Sequence, residues 1–153
     1  MSAWLVVHLL GVLLMVGNVV TAAFWKIRAD LTGNPAVIHH TVKNVMIADY
    51  FFTIPGLVLI ILSGFLMAGR TGASLSGWNW LTLSLVLLAV SGIVWLAILV
   101  PMQLRMVRYS AACVEKGAIS AEYRNASRLW AVFGIAATLL PVTILYLMVM
   151  KEI

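Results

Sequence analysis

The sequence predicts an all-α polytopic membrane protein: four antiparallel transmembrane helices in an up-down-up-down bundle, forming a single domain over residues 1–153. Three observations lead there. The 153 residues are 63% hydrophobic and 10% charged, with a mean hydropathy of +1.07, whereas a soluble domain carries about a quarter charged residues. Four stretches, 1–25, 50–69, 71–104 and 129–150, contain no Asp, Glu, Lys or Arg, and a membrane-spanning helix needs roughly 20 apolar residues. The segments between them hold compact helix stop and start signals in place of long loops.

The first helix is expected near residues 2–31. Its apolar stretch is too long for a typical signal-peptide core and has no basic region before it, so it reads as a retained span. Gly33, Asn34 and Pro35 then supply a left-handed cap, an N-cap and a first helical residue whose missing N–H is not needed. The second helix follows over 35–69. The third spans 78–116, with Gly117 ending it, and Ser120 caps the fourth, 120–150, with Glu122 in its first turn. About ten residues of the third and fourth helices lie beyond the apolar runs, so their hairpin should project about 15 to 20 Å into the cytoplasm. Pro55, Pro101 and Pro141 fall inside helices and are expected to kink them.

Charge sets the expected orientation. Lys26, Arg28 and Lys43 follow the first apolar run, and Arg105, Arg108, Lys116, Arg124 and Arg128 lie between the third and fourth. Only Arg70 and Lys151 remain for the other side, which puts both basic segments in the cytoplasm and both termini on the periplasmic or exterior face. Trp4, Trp78 and Trp80 then mark the outer interface, Trp25 and Trp130 the inner one. Trp95 falls mid-span, either packed inside the bundle with its N–H satisfied or facing lipid.

Composition excludes several chemistries. A single cysteine, Cys113, makes neither an intramolecular disulfide nor a thiolate cage. No phosphate-binding glycine loop, H-E-x-x-H or C-x-x-C occurs, and the net charge of +5 is carried by short segments flanking spans, where it orients the chain and does not point to nucleic acid.

Polar and small residues collect on one stripe of the first helix, His8, Gly11, Met15, Asn18 and Ala22, and on one stripe of the second, Asp49, Thr53, Gly56, Ile60, Ser63 and Met67. Such stripes let helices approach closely, as Gly64-x-x-x-Ala68 also suggests. The ionisable members are functional hypotheses by default. Asp49, about one turn in from the cytoplasmic border, is expected in a polar or ion-pair cluster with Gln103 and Arg105 on the third helix and Lys43 on its own; a proton-relay or quinone-headgroup role is the alternative. His8 lies in the outer leaflet and is the best metal or cofactor ligand, with Met15, Asn18 and Met67 as neighbours on the two stripes. Met67, Met148, Met150, Tyr146 and Trp78 share its depth, so a haem there would be five-coordinate, His/Met-ligated or shared between chains, and His with soft Met would equally suit Cu(I). His39 and His40 point about 100° apart and belong to a solvated face. The basic third loop, with Tyr109 and Tyr123, reads as a surface for anionic lipid or a partner.

Four segments carry a resemblance that spans nearly the whole chain: His8-Leu9-Leu10-Gly11 with Gly17-Asn18; the run from Phe24 to Asp30; the run from Asp49 to Gly56; and Val100-Pro101-Met102-Gln103. Together they resemble an uncharacterised family of bacterial four-helix inner-membrane proteins. That family is in turn distantly similar to the copper-resistance membrane protein CopD and to the haem-binding membrane protoporphyrinogen oxidase, in which a first-helix histidine is implicated in cofactor binding. The resemblance implies that His8 takes this place, while the oxidase's additional lysine ligand has no counterpart inside the uncharged runs. The expected function is therefore a haem b-binding redox or electron-transfer component using His8, with quinone or another membrane protein as its partner. Copper handling through His8 and outer-leaflet Met residues, or a non-catalytic accessory subunit, homo-oligomeric or within a larger complex, are the alternatives. The two main classes differ in one feature: a cofactor site needs an open volume beside His8, an accessory subunit a filled interior.

Overall fold

The computed structural model describes residues 3–72 and 76–151. They form four long helices, each apolar enough over 18 residues to cross a membrane: α1 (Ala3–Thr32), α2 (Pro35–Thr71), α3 (Trp80–Lys116) and α4 (Ala121–Met150). Residues 1–2, 73–75 and 152–153, which include part of the expected loop from Gly72 to Gly77, lie outside the described residues.

Local chemistry sets the boundaries. After α1, Gly33 takes φ +63° and its N–H reaches the Asp30 carbonyl at 3.2 Å. The Asn34 side chain then accepts from the Ala36 and Val37 amides, with Pro35 at the first helical position. At the other hairpin Gly117 ends α3 at φ +67°, and the Ser120 hydroxyl accepts from the Tyr123 amide at 3.2 Å. α3 begins at Trp80, two residues later than the apolar pattern suggests, because Asn79 and Thr82 form a reciprocal capping box.

Two of the three intrahelical prolines are accommodated by widening the helix. Just before Pro55, residues Asp49–Thr53 form a π-helical turn in which the Ile54 N–H bonds the Asp49 carbonyl. Just before Pro101, Trp95–Leu99 do the same, with the Val100 N–H on the Trp95 carbonyl. A proline ring crowds the carbonyl four residues back and donates nothing to it, and one extra residue in the turn relieves that clash. Pro141, buried in α4, lies within an uninterrupted α-helix.

The helices pack in a ring, α1 on α2, the first half of α2 on the second half of α3, α3 on α4, and α4 back on α1. The tightest core is at the end bearing the two hairpins, where Ile38, Val42, Met106 and Cys113 are almost fully enclosed. Elsewhere the outward faces are apolar and bare, as at Leu13 (69% exposed), Phe51 (70%) and Val149 (70%). These faces are where lipid belongs, because a four-helix ring has no second layer to cover them.

α1 and α2 touch backbone to backbone. A Cβ added at Gly11 would lie 2.8 Å from the Gly56 carbonyl oxygen, and one at Gly56 would lie 2.8 Å from the Gly11 oxygen and 2.9 Å from the Met15 amide. The two stripes read from the sequence are thus one antiparallel seam, with glycine required on both sides of its closest point.

Candidate functional site

Three polar groups lie along α1, and each meets a different part of the bundle. At the first, His8 Nδ1 lies 3.0 Å from Ser63 Oγ, and Ser63 in turn donates to the Leu59 carbonyl. The imidazole packs over Gly64, where an added Cβ would be 3.5 Å from Cε1.

At the second, Asp49 is 7% exposed and accepts three hydrogen bonds. Asn18 Nδ2 donates to Oδ1 at 2.9 Å, Thr53 Oγ1 to the same oxygen at 2.8 Å, and Gln103 Nε2 to Oδ2 at 2.7 Å. Asn18 Nδ2 also reaches Thr53 Oγ1 at 3.0 Å. The cluster joins three helices and uses both wide turns, since Asp49 opens the first and Gln103 follows the second by one helical turn. Lys43 and Arg105, expected with it, are both exposed and form no ion pair with it. At 100° per residue, Arg105 lies about 200° around α3 from Gln103 and Lys43 about 240° around α2 from Asp49, so both point away from it.

The third group corrects the sequence reading of Lys26 as an orienting charge that flanks a span. α1 runs on to Thr32, and Lys26 is 2% exposed inside the bundle. Its Nζ donates to Asp30 Oδ2 at 2.6 Å and to Ser127 Oγ. Tyr123 OH donates to Asp30 Oδ1 at 2.7 Å, and Ser127 Oγ to Asp30 Oδ2 at 2.9 Å. The ammonium also lies 5.9 Å from the Tyr123 ring centroid and 5.4 Å from that of Trp130, within cation–π range. A carboxylate, the Ser127 hydroxyl and two aromatic faces together replace the hydration that Lys26 loses. Trp130 is likewise buried, at 8% exposure, instead of marking an interface, and its Nε1 has no hydrogen-bond partner.

Between the second and third groups the bundle is hollow. A cavity of about 330 Å³ is lined by residues of all four helices, among them Met15, Lys26, Asp49, Thr53, Trp95, Gln103, Trp130 and Gly134. Its wall is mostly apolar side chains, with one cation, one carboxylate, an amide and an unpartnered indole N–H. Trp95, half-buried, faces this space and not lipid alone. His8 does not line it. Ten residues of α1, about 15 Å of rise, separate His8 from Asn18, so the expected grouping of His8, Met15, Asn18 and Met67 is distributed along the seam and does not converge. Met15 packs at the glycine crossing and on the cavity, Asn18 binds Asp49, and Met67 is half-buried on α2. Among the described residues no three His, Cys, Asp or Glu side chains come together as a metal site. His39 also departs from the solvated-face reading, with Nδ1 2.9 Å from Ser110 Oγ on α3, while His40 Nε2 contacts Asn44 Nδ2 at 3.0 Å.

Sequence reasoning missed Lys26, Asp30, Tyr123, Ser127 and Trp130. The signal was available: the stripe 8, 11, 15, 18, 22 continues by four to Lys26, and Lys26 and Asp30 have the i, i+4 spacing of a helical ion pair.

The fold and its lipid-facing exterior define a polytopic α-helical membrane protein with an internal cavity. The chain belongs to the family described as predicted integral membrane protein (DUF2269), which matches residues 3–152. Comparison with curated proteins and comparison with solved structures each gave no match. Neither comparison shows a similarity to CopD or to protoporphyrinogen oxidase.

Proposed function

We propose that the protein binds a lipid-soluble ligand of the quinone class in its four-helix cavity, with the ligand's carbonyl taken by Trp130 and Lys26 and its apolar body by the surrounding aliphatic wall. The unpartnered Trp130 Nε1 carries this reading. A buried donor left unsatisfied costs about 1–3 kcal/mol, and an acceptor-bearing head beside it recovers that energy. Lys26 supplies a second donor, since an ammonium has three N–H bonds and two are directed at Asp30 and Ser127. Asp49, held by neutral donors only, offers a carboxylate to any hydroxyl on the same head. A cavity of about 330 Å³ lies at the lower end of the usual ligand range, which suits a single ring with the start of a tail.

This reading keeps the redox and quinone expectation but relocates the site. Around His8, Ser63 engages Nδ1 and the ring packs on α2 over Gly64, while the open volume begins further along α1. A hollow interior likewise favours a binding role over a purely accessory one.

The test is a titration of detergent-purified protein with a short-tailed benzoquinone, read by quenching of tryptophan fluorescence. Saturable binding is expected. Trp130→Phe should weaken it about tenfold, the equivalent of one hydrogen bond of about 1.4 kcal/mol. Gly134→Leu should abolish it, because a side chain there meets no neighbour within 4 Å and fills the cavity. Equal affinity in wild type and Gly134→Leu would refute the assignment of the site.

A further inference from the structure

A second hollow, of about 500 Å³, lies between α1 and the first half of α2. It is an open groove whose walls include Trp25, Arg28, Thr41 and Asn44, over a floor of small residues such as Ala22 and Ala48. It opens outward: Trp25 is 62% exposed and Arg28 is exposed.

The charge balance of this groove is one-sided. α1 and α2 carry two carboxylates, Asp30 and Asp49, and both are turned into the bundle, Asp30 to Lys26, Tyr123 and Ser127 and Asp49 to Asn18, Thr53 and Gln103. The Lys26–Asp30 pair is the only ion pair among the described residues. Arg28 therefore presents a guanidinium with no carboxylate partner. The threonines in the groove offer no compensating anion, and two of them direct their hydroxyl protons to backbone, Thr21 to the Gly17 carbonyl at 2.8 Å and Thr32 to the Ala29 carbonyl at 2.6 Å.

The surroundings identify the anion's source. The groove lies on the lipid-facing side of two membrane-spanning helices, close to the Gly33–Asn34 hairpin where α1 and α2 turn back. Trp25 stands beside it, an aromatic residue of the kind that settles at headgroup depth. Basic pockets between transmembrane helices at this depth select anionic headgroups, because a guanidinium meets a phosphodiester with two parallel N–H bonds. Small floor residues leave width for a glycerol backbone and the first carbons of an acyl chain.

We infer that this groove is a binding site for an anionic phospholipid, whose headgroup phosphate is held by Arg28 and whose upper acyl segment lies along Trp25 on the α1–α2 floor. A zwitterionic lipid brings its own cation to its phosphate and gains less from Arg28.

The experiment uses the full chain reconstituted in vesicles of equal phosphatidylglycerol and phosphatidylcholine, extracted in mild detergent, with retained lipid identified by native mass spectrometry. Retained phosphatidylglycerol should exceed phosphatidylcholine about fivefold, the selectivity of one interfacial cation. Arg28→Gln should remove the enrichment, whereas Arg124→Gln, an exposed cation on the other hairpin, should leave it. Alkylation of Cys113, buried at 2% exposure, serves as the check that both variants are folded. Unselective retention, or selectivity that survives Arg28→Gln in a folded protein, overturns the proposal. So does displacement of the lipid by millimolar glycerol phosphate, which would mark a site for free phosphate.

Discussion

Replacing Gly11 by alanine probes the closest approach of the bundle. The added Cβ would sit 2.8 Å from the Gly56 oxygen and 3.0 Å from the Ile60 amide nitrogen, against an optimal separation of about 3.5 Å for non-bonded heavy atoms. Both obstacles are backbone atoms of a helix, so no side-chain rotation relieves the contact and α1 must move off α2 by about 0.7 Å at this point. Two turns along, that displacement stretches the Asn18 bonds to Asp49 and Thr53, now 2.9 and 3.0 Å, beyond the usual limit of about 3.2 Å. Overpacking contributes about 1–3 kcal/mol and the two weakened intramembrane hydrogen bonds about 0.6 kcal/mol each, for a loss of about 2–4 kcal/mol. Gly17 is the internal control, because nothing lies within 4 Å of a Cβ built there; its alanine variant should be neutral or stabilised by up to about 1 kcal/mol. Reversible unfolding by sodium dodecyl sulfate in mixed micelles, followed by far-ultraviolet circular dichroism, reads both. If Gly11→Ala and Gly17→Ala unfold at the same detergent fraction, the seam is not the close backbone contact described.

The polar groups give three further expectations. Asp49→Ala leaves Asn18, Thr53 and Gln103 without their acceptor and should cost about 2–4 kcal/mol in the same unfolding assay, while Asp49→Asn should cost less, since the Gln103 amide can turn its oxygen to the new donor. In the third group the order of effects is informative: Asp30→Ala strands the enclosed Lys26 ammonium and should lose about 3–5 kcal/mol, Lys26→Met should lose less, and Lys26→Met combined with Asp30→Asn should recover part of the Asp30→Ala loss. Equal losses for the two single changes would contradict the burial asymmetry of 3% against 29% side-chain exposure. Finally, Cys113, the sole cysteine, should resist a membrane-permeant maleimide until the hairpin end of the bundle opens, and rapid labelling of native protein would show that this end is less closed than described.

Much of the architecture was legible because its determinants are local. Helix ends followed from Gly33, Asn34 and Pro35, and from Gly117 and Ser120, each a conformational preference that needs no partner. The seam between α1 and α2 was legible as well, since small and polar residues recur at helical spacing. The centre of the site was not. A lysine next to an uncharged run reads as a topological signal, and only the length of α1, which carries Lys26 past the run while still inside the bundle, turns it inward. The cavity depends on four helices at once, and no spacing in one sequence shows where side chains fail to meet. His8, prominent because a lone imidazole in a span demands explanation, is engaged by a serine, whereas Trp130, which in sequence reads as one more interfacial tryptophan, holds the N–H without a partner.

The wide turn at Asp49–Thr53 joins the two α-helical stretches of α2. Enclosed positions along α2 fall at 38, 42, 45, 49, 53, 56, 60 and 63, a mean step of about 3.6 residues, so a single inward stripe runs on across the wide turn. A π turn holds one more residue than an α turn in nearly the same rotation, so without that residue the stretch that meets α3 through Ile38 and Val42 and the stretch that meets α1 through Gly56 and Ser63 would keep their relative facing. A one-residue deletion among the exposed Tyr50, Phe51 and Phe52 would thus close the wide turn to an ordinary α turn and leave both interfaces facing inward. The wide turn is slack in the helix, one residue of length taken up where the Pro55 ring needs room.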